Sequence, residues 1–138
     1  MLLGGRPRRR SRHQRKAAAV VELAICLPLI MTLVLASIET CNMIFVQHSL
    51  QVAAYEGVRV AVQPLGETAT ALQTTNSLLD SQGVSGASVD CSHPDFRAVP
   101  EGEQIWINIT ATCNSNRNCP SFFFGSRTLN VRCVMVKE

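Results

Sequence analysis

The chain has 138 residues, of which 46% are hydrophobic, 17% charged and 5% aromatic; it therefore has room for one modest globular unit and an appendage, but not for a multidomain enzyme. This composition is too apolar for a disordered chain and too poor in aromatic residues for a large packed core. The net charge of +3 hides an asymmetry, because seven of the 13 basic residues precede Ala17 and the remainder has six basic against ten acidic residues.

A basic tail on an acidic body indicates either a nucleic-acid arm or a membrane topology signal. The next segment, AAAVVELAICLPLIMTLVLASI, has 22 residues from Ala17 to Ile38 and a single charge, Glu22. Since about 20 apolar residues cross the hydrocarbon core, we predict a transmembrane span at about 17–38. The basic tail then makes residues 1–17 a cytoplasmic leader and places the rest outside the membrane. Nucleic-acid binding is disfavoured, because the tail has no aromatic residue to stack on a base.

The same segment allows a second interpretation, a secretory signal peptide. Leu23–Ala36 has the length of its apolar region and ends in small residues, so cleavage there would release a protein that begins at Ser37. Against this, the helical pattern continues beyond Ser37, with apolar residues recurring every third or fourth position and a Glu56–Arg59 pair spaced i,i+3.

We therefore predict one long helix over residues 18–63, ending at the Pro64–Gly66 breaker. About 45 residues at 1.5 Å each give a length on the order of 65 Å. A body of about 70 residues cannot cover such a helix. Its projecting half must lie in lipid or against other copies.

The remaining residues, 64–138, are predicted to form an extracytoplasmic α+β domain. A short second helix covers ETATALQTTNSLLDSQ and ends at Gly83. Three alternating stretches follow, at residues 87–91, 105–113 and 129–135, and predict a small antiparallel sheet packed on a helix. Trp106 projects from the face opposite to Ile105 and Ile107, either onto the helix or toward a subunit contact.

Two motifs carry a resemblance to a known family. AAAVVELAICLPLI contains an acid five residues after Ala17, and AAYEGVRVAV is similar to the small-residue and E-G-x-R signature of TadE-like pilus-assembly proteins. The resemblance implies a pilin-like fold and a pseudopilin or minor pilin of the inner membrane, which takes part in assembly of a tight-adherence (Flp-type) adhesion pilus or related secretion system. It also implies prepilin-peptidase processing between Ala17 and Ala18, with other pilins and the assembly machinery as partners.

The physical chemistry of Glu22 agrees with that resemblance. A carboxylate inside a membrane helix is costly and usually has a partner. After processing, the Ala18 ammonium of the same or a neighbouring chain is such a partner, and without processing Lys16 or Arg15 can serve. Alternatively, Glu22 only reaches the cytoplasmic interface.

Small residues on the second half of the long helix permit close approach of another helix. We expect Ala53, Ala54, Gly57 and Ala61 to provide helix packing between subunits. Pro28 removes one helix hydrogen bond and either kinks the span or is simply tolerated there.

Four cysteines of the body, Cys91, Cys113, Cys119 and Cys133, are disulfide candidates in an oxidising compartment. Cys113 and Cys119 enclose a short turn and are the easier pair. Cys91–Cys133 would require the first and third strands to be neighbours, because two strand spacings exceed the ~7 Å limit between bridged Cα atoms. The rival interpretation is a zinc site with His93, but its ligand spacing is unlike that of structural zinc sites.

The sequence contains no catalytic motif, so we expect no enzyme activity, no cofactor and no small-molecule substrate. Two other functions stay open beside the pseudopilin. One is an unprocessed, single-pass membrane protein whose extracytoplasmic domain binds a ligand. The other is a secreted enzyme released after Ala36.

Overall fold

The computed structural model describes residues 10–113 and 125–137, with side chains from Lys16 onward. Its elements are α1 (Arg10–Ala61), α2 (Thr68–Ser81), β1 (Ala87–Cys91), a 3-10 helix (Phe96–Ala98), β2 (Gln104–Thr112) and β3 (Thr128–Val136). The predicted α+β class, with a long first helix, a short second helix and a three-stranded antiparallel sheet, is confirmed. The chain divides into two compact units, Met1–Ser37 and Ile38–Glu138, and α1 contributes to both.

Helix α1 begins earlier than predicted, at Arg10 inside the basic leader, and continues without a break through Pro28. It ends at Ala61, two residues before the predicted end. A backbone hydrogen bond from Gly66 to Gln63 closes the turn that follows. A Cβ on Gly66 would lie 2.5 Å from the Ala61 carbonyl oxygen, so this turn requires glycine.

Helix α2 is held at its start by the segment after β1. The Phe96 amide donates to the Thr68 hydroxyl at 2.9 Å, and the Arg97 guanidinium pairs with the Glu67 carboxylate. The helix buries Ala71, Thr75 and Leu79 on one side and ends at Ser81, just before Gly83, whose φ of 71° an L-residue rarely adopts.

The sheet has the order β1-β2-β3, and both pairs of strands are antiparallel. Side chains of the central strand alternate: Ile105, Ile107, Ile109 and Ala111 are buried, Gln104 is exposed and the other residues are half-buried. This alternation is the pattern of a sheet with one covered face. The buried face joins residues of α1 and α2 in one core, which also contains Val46, Leu50, Val58, Phe96 and Leu129.

Candidate functional site

The first part of α1 exposes apolar side chains in every direction. Eleven large apolar residues from Val20 to Leu35 are each 43–71% exposed. An 18-residue window of the helix has a mean hydropathy of 2.5 and no buried residue, and by length and composition this helix can cross a membrane. A helix that is apolar all round is expected in lipid or among other apolar helices.

The residues of the predicted processing site lie on this helix. Ala17, Ala18 and Glu22 are all helical and exposed. Ala18 and Glu22 are four residues apart, so they occupy neighbouring positions on one helix face. Their spacing matches the pairing predicted between the Glu22 carboxylate and an ammonium at Ala18, and that pairing stays a prediction.

The small residues of α1 pack within the chain itself, whereas the prediction was a contact between subunits. Ala53, Ala54, Gly57 and Ala61 are buried inside the chain's own body. A Cβ on Gly57 would lie 2.1 Å from the Thr75 hydroxyl oxygen and 3.1 Å from Ile107 Cδ1. These residues allow α1 to approach α2 and β2 closely, so their assignment to contacts between subunits is corrected. Beside them, Arg59 Nη1 lies 3.3 Å from Glu56 Oε2 in an exposed ion pair.

The sheet topology also corrects the Cys91–Cys133 disulfide. Ile107 is the partner of Cys91 on one side and of Cys133 on the other, so the two cysteines are two strand spacings apart. Both are free thiols, as is the buried Cys113. Cys119, its predicted partner, lies outside the described residues. Burial raises the pKa of the Cys133 thiol above its ordinary value of 9.0, although a backbone hydrogen bond at Val134 acts in the opposite direction.

The rival zinc interpretation finds no support in residues 16–113 and 125–137. No group of three or more His, Cys, Asp or Glu side chains there could hold a metal ion. The Cys91 thiol instead donates to the carbonyl oxygen of His93 at 3.3 Å. Cys113 follows the opposite end of β2, six residues beyond the partner of Cys91.

A groove of about 230 Å³ lies beside the 3-10 helix, and its polar lining includes His93, Asp95 and Glu103. His93 Nε2 lies 3.7 Å from Glu103 Oε1, and both side chains are partly exposed. Neither sequence pattern nor spacing suggested this groove, because its residues come from the 3-10 helix and the irregular segments on both sides of it.

Lys137 is a buried cation that sequence analysis also missed. Its ammonium donates to the carbonyl oxygens of Phe96 at 2.6 Å, Val99 at 2.7 Å and Arg97 at 3.3 Å. These are carbonyls of the 3-10 helix and the residue after it. The contact ties the end of β3 to the segment that holds α2. The sequence signal for the burial of Lys137 is the alternation along β3, because it places residue 137 on the covered face of the sheet.

The opposite face of the sheet carries the tryptophan. Trp106 is half-buried there, and the Arg132 guanidinium carbon lies 4.2 Å from its ring centroid. Trp106 therefore does not pack on the helices, which the isoleucine face of β2 contacts instead.

The comparison with protein families finds one match, which lies within α1. The family model for TadE-like proteins matches residues 17–59. Over these residues the chain is similar to TadE-like proteins. The match confirms the resemblance found in the two motifs. It begins at Ala17, includes the apolar span and the buried Ala53, Ala54 and Gly57, and ends before α2. No curated protein and no solved structure matches the chain.

Proposed function

We propose that this chain is a TadE-like protein and acts as a pseudopilin or minor pilin that takes part in assembly of a tight-adherence adhesion pilus. The observation that carries the proposal is the match over residues 17–59, which covers the apolar span and Glu22 together. In this role the chain works mechanically, as a subunit, and catalyses no reaction. Its partners are other pilins and the assembly machinery.

The charge pattern supports one orientation in the inner membrane. All seven basic residues of the leader precede the span, and the next basic residue is Arg59. By the positive-inside rule the leader is cytoplasmic and the α+β body extracytoplasmic. The exposed apolar part of α1 provides the anchor.

Processing by a prepilin peptidase between Ala17 and Ala18 would change the charge at the start of the span. It removes the seven basic residues and creates an ammonium at Ala18. Glu22 lies one helical turn away, and a carboxylate in a membrane helix is stabilised by a neighbouring cation. The same carboxylate can receive the ammonium of an adjacent subunit, which would give each incoming subunit a charge to dock on.

The experiment is to determine the N-terminal residue of the protein recovered from membranes, with and without a co-expressed prepilin peptidase. We expect a start at Ala18 only when the peptidase is present. Glu22→Gln then separates processing from assembly, because it removes the charge and keeps the size. Glu101→Gln, at an exposed position of the body, is the control for the loss of a carboxylate and should assemble normally.

A second candidate is a permanently anchored protein whose body binds an extracellular ligand. The half-buried Trp106 beneath Arg132 on the outer sheet face favours it, since tryptophan and arginine are enriched where proteins bind partners. A start at Met1 in the presence of the peptidase would favour this candidate and reject the processed pilin. A start at Ser37 would instead indicate a secreted protein.

A further inference from the structure

Helix α1 begins inside the basic leader, before the apolar span. It runs from Arg10 through Ala17 into the span as one continuous helix, and this whole stretch belongs to the first compact unit, Met1–Ser37. The last cations of the leader therefore stand on helical backbone directly before the span. Lys16, the last of them, is exposed.

Three of these cations share one face of the helix. Arg12, Arg15 and Lys16 are spaced i, i+3 and i+4, so their positions are neighbours on the helix surface. We call them the cationic triad. Like charges at this spacing destabilise a helix. The chain has no acid before Glu22, and one carboxylate does not balance three cations. The triad therefore has an excess of positive charge that an anion from outside the chain can balance.

The distance between the triad and the span indicates where such an anion lies. Arg12 and Lys16 are about 6 Å apart along the helix axis at a rise of 1.5 Å per residue, and the span follows at Ala17. The headgroup layer on one side of a bilayer is about 5–8 Å thick. With the span in the hydrocarbon core, the triad therefore lies at the depth of the lipid phosphates. A guanidinium binds phosphate through two parallel hydrogen bonds.

We propose that the cationic triad binds the headgroup of an anionic phospholipid at the start of the span. A zwitterionic headgroup has the same phosphate, but its ammonium cancels the charge, so the triad prefers an anionic lipid. Each cation near an anionic membrane surface raises the association constant about fivefold, and three give a preference on the order of 100-fold. Nucleic acid also carries phosphate, but the leader has no aromatic residue to stack on a base.

The inference rests on the proposed membrane span, but it needs neither processing at Ala17 nor the pilus machinery. The two proposals can therefore fail separately. A start at Met1 in the presence of the peptidase would reject the processed pilin and leave the lipid site intact. Loss of the lipid preference would leave the mapping of the N-terminal residue unchanged.

The test is native mass spectrometry of the full, unprocessed chain in a nonionic detergent, titrated with phosphatidylglycerol or phosphatidylcholine. Each bound lipid adds its own mass, so the number of lipids and their affinity are measured together. We expect one phosphatidylglycerol to bind at least about tenfold more tightly than phosphatidylcholine. This preference should fall as ammonium acetate rises from about 0.05 to 0.5 M, because salt screens exposed charges.

Two variants that lose the same charge distinguish the triad from diffuse attraction. The triad variant combines Arg12→Gln, Arg15→Gln and Lys16→Gln, and should bind both lipids within about twofold of each other. The matched control removes the three cations farthest from the span: Arg6→Gln, Arg8→Gln and Arg9→Gln. It should keep most of the preference, since these cations precede the headgroup layer. Circular dichroism checks that both variants keep their helix content.

Four results would overturn the inference. They are equal binding of the two lipids by the unaltered chain, equal loss of preference in the two variants, displacement of bound phosphatidylglycerol by an equal concentration of inorganic phosphate, and tighter binding of a double-stranded DNA oligomer. The third would indicate a site for a soluble phosphate, and the fourth a nucleic-acid arm.

Discussion

Two stretches of the same helix use apolar residues in opposite ways. Between Val20 and Leu35, large side chains surround α1 on all sides and stay exposed, as expected of a helix in lipid. Between Val46 and Ala61, the buried positions lie on one face, and most of them are small. Apolar content alone therefore does not tell where a helix segment belongs. The size of its side chains and their distribution around the axis do.

The largest effect should come from charging the first stretch. Leu29→Arg together with Leu33→Arg puts two cations into the span, at about 2.5–3.5 kcal/mol for each near the bilayer centre. We expect the double variant to leave the membrane fraction after an alkaline wash. Gln47→Arg with Gln51→Arg adds the same charge at exposed positions of the same helix and should remain bound. Retention of both variants would show that this helix does not anchor the chain.

The second stretch should be sensitive to size rather than charge. Gly57→Ala places a Cβ 2.1 Å from the Thr75 hydroxyl oxygen, and overpacking of this kind costs about 1–3 kcal/mol. At about 4–8 °C per kcal/mol for a body of this size, the thermal midpoint should fall clearly.

Thr75→Ala tests the cause of that loss. The substitution removes the hydroxyl and keeps the Cβ of residue 75. That Cβ would lie 3.5 Å from a Cβ at position 57, which is an ordinary contact. The Gly57→Ala, Thr75→Ala double variant should therefore be more stable than Gly57→Ala alone, because it also gains the better helix propensity of alanine. If the two losses simply add, the contact between Gly57 and Thr75 does not limit the packing of α1.

A smaller loss should follow Lys137→Met. The substitution keeps the apolar stem and removes the ammonium, which donates to three carbonyl oxygens. The Phe96 oxygen then keeps only the Val99 amide, at 3.4 Å. A hydrogen bond to a charged group contributes about 1.5–3 kcal/mol, part of which offsets the burial of the charge. We expect a net loss of about 2 kcal/mol in the free energy of unfolding measured with urea. Val136→Ala, an exposed neighbour on β3, should cost much less.

The smallest effect concerns the outer face of the sheet. Arg132→Ala removes the guanidinium over Trp106, a contact that contributes about 0.5–1 kcal/mol at an exposed site. Trp106 is the only tryptophan, so its fluorescence reports this change directly. The emission should shift, while Asn130→Ala on the same strand should leave it unchanged. An unchanged spectrum in Arg132→Ala would exclude the stacked arrangement.

The sequence predicted the helices and strands, because these depend on the periodicity of apolar residues. The alternation of Ile105, Ile107 and Ile109 located β2, and Gly83 marked the end of α2 to within two residues. That periodicity does not determine the order of the strands in the sheet. The Cys91–Cys133 pairing depended on the first and third strands being neighbours, and β2 lies between them.

Other features could not be predicted, because they depend on three-dimensional contacts. Small residues permit close approach to any helix, so the pattern of Ala53 and Gly57 did not distinguish a subunit contact from the chain's own α2. A lysine in sequence is ordinarily expected in solvent, and only the position of the 3-10 helix carbonyls explains the burial of Lys137. The family match extends over α1 alone, so it could not correct these expectations for the body.

The order of the sheet also has a kinetic consequence. Each strand pairs with the strand next to it along the chain, and the most distant pair, Gln104 with Val136, is separated by only 32 residues. Folding rates rise as contacting residues come closer in sequence, since less loop entropy is lost before a contact forms. The sheet can therefore assemble rapidly by successive hairpins and limits the time during which its apolar strands are open to aggregation.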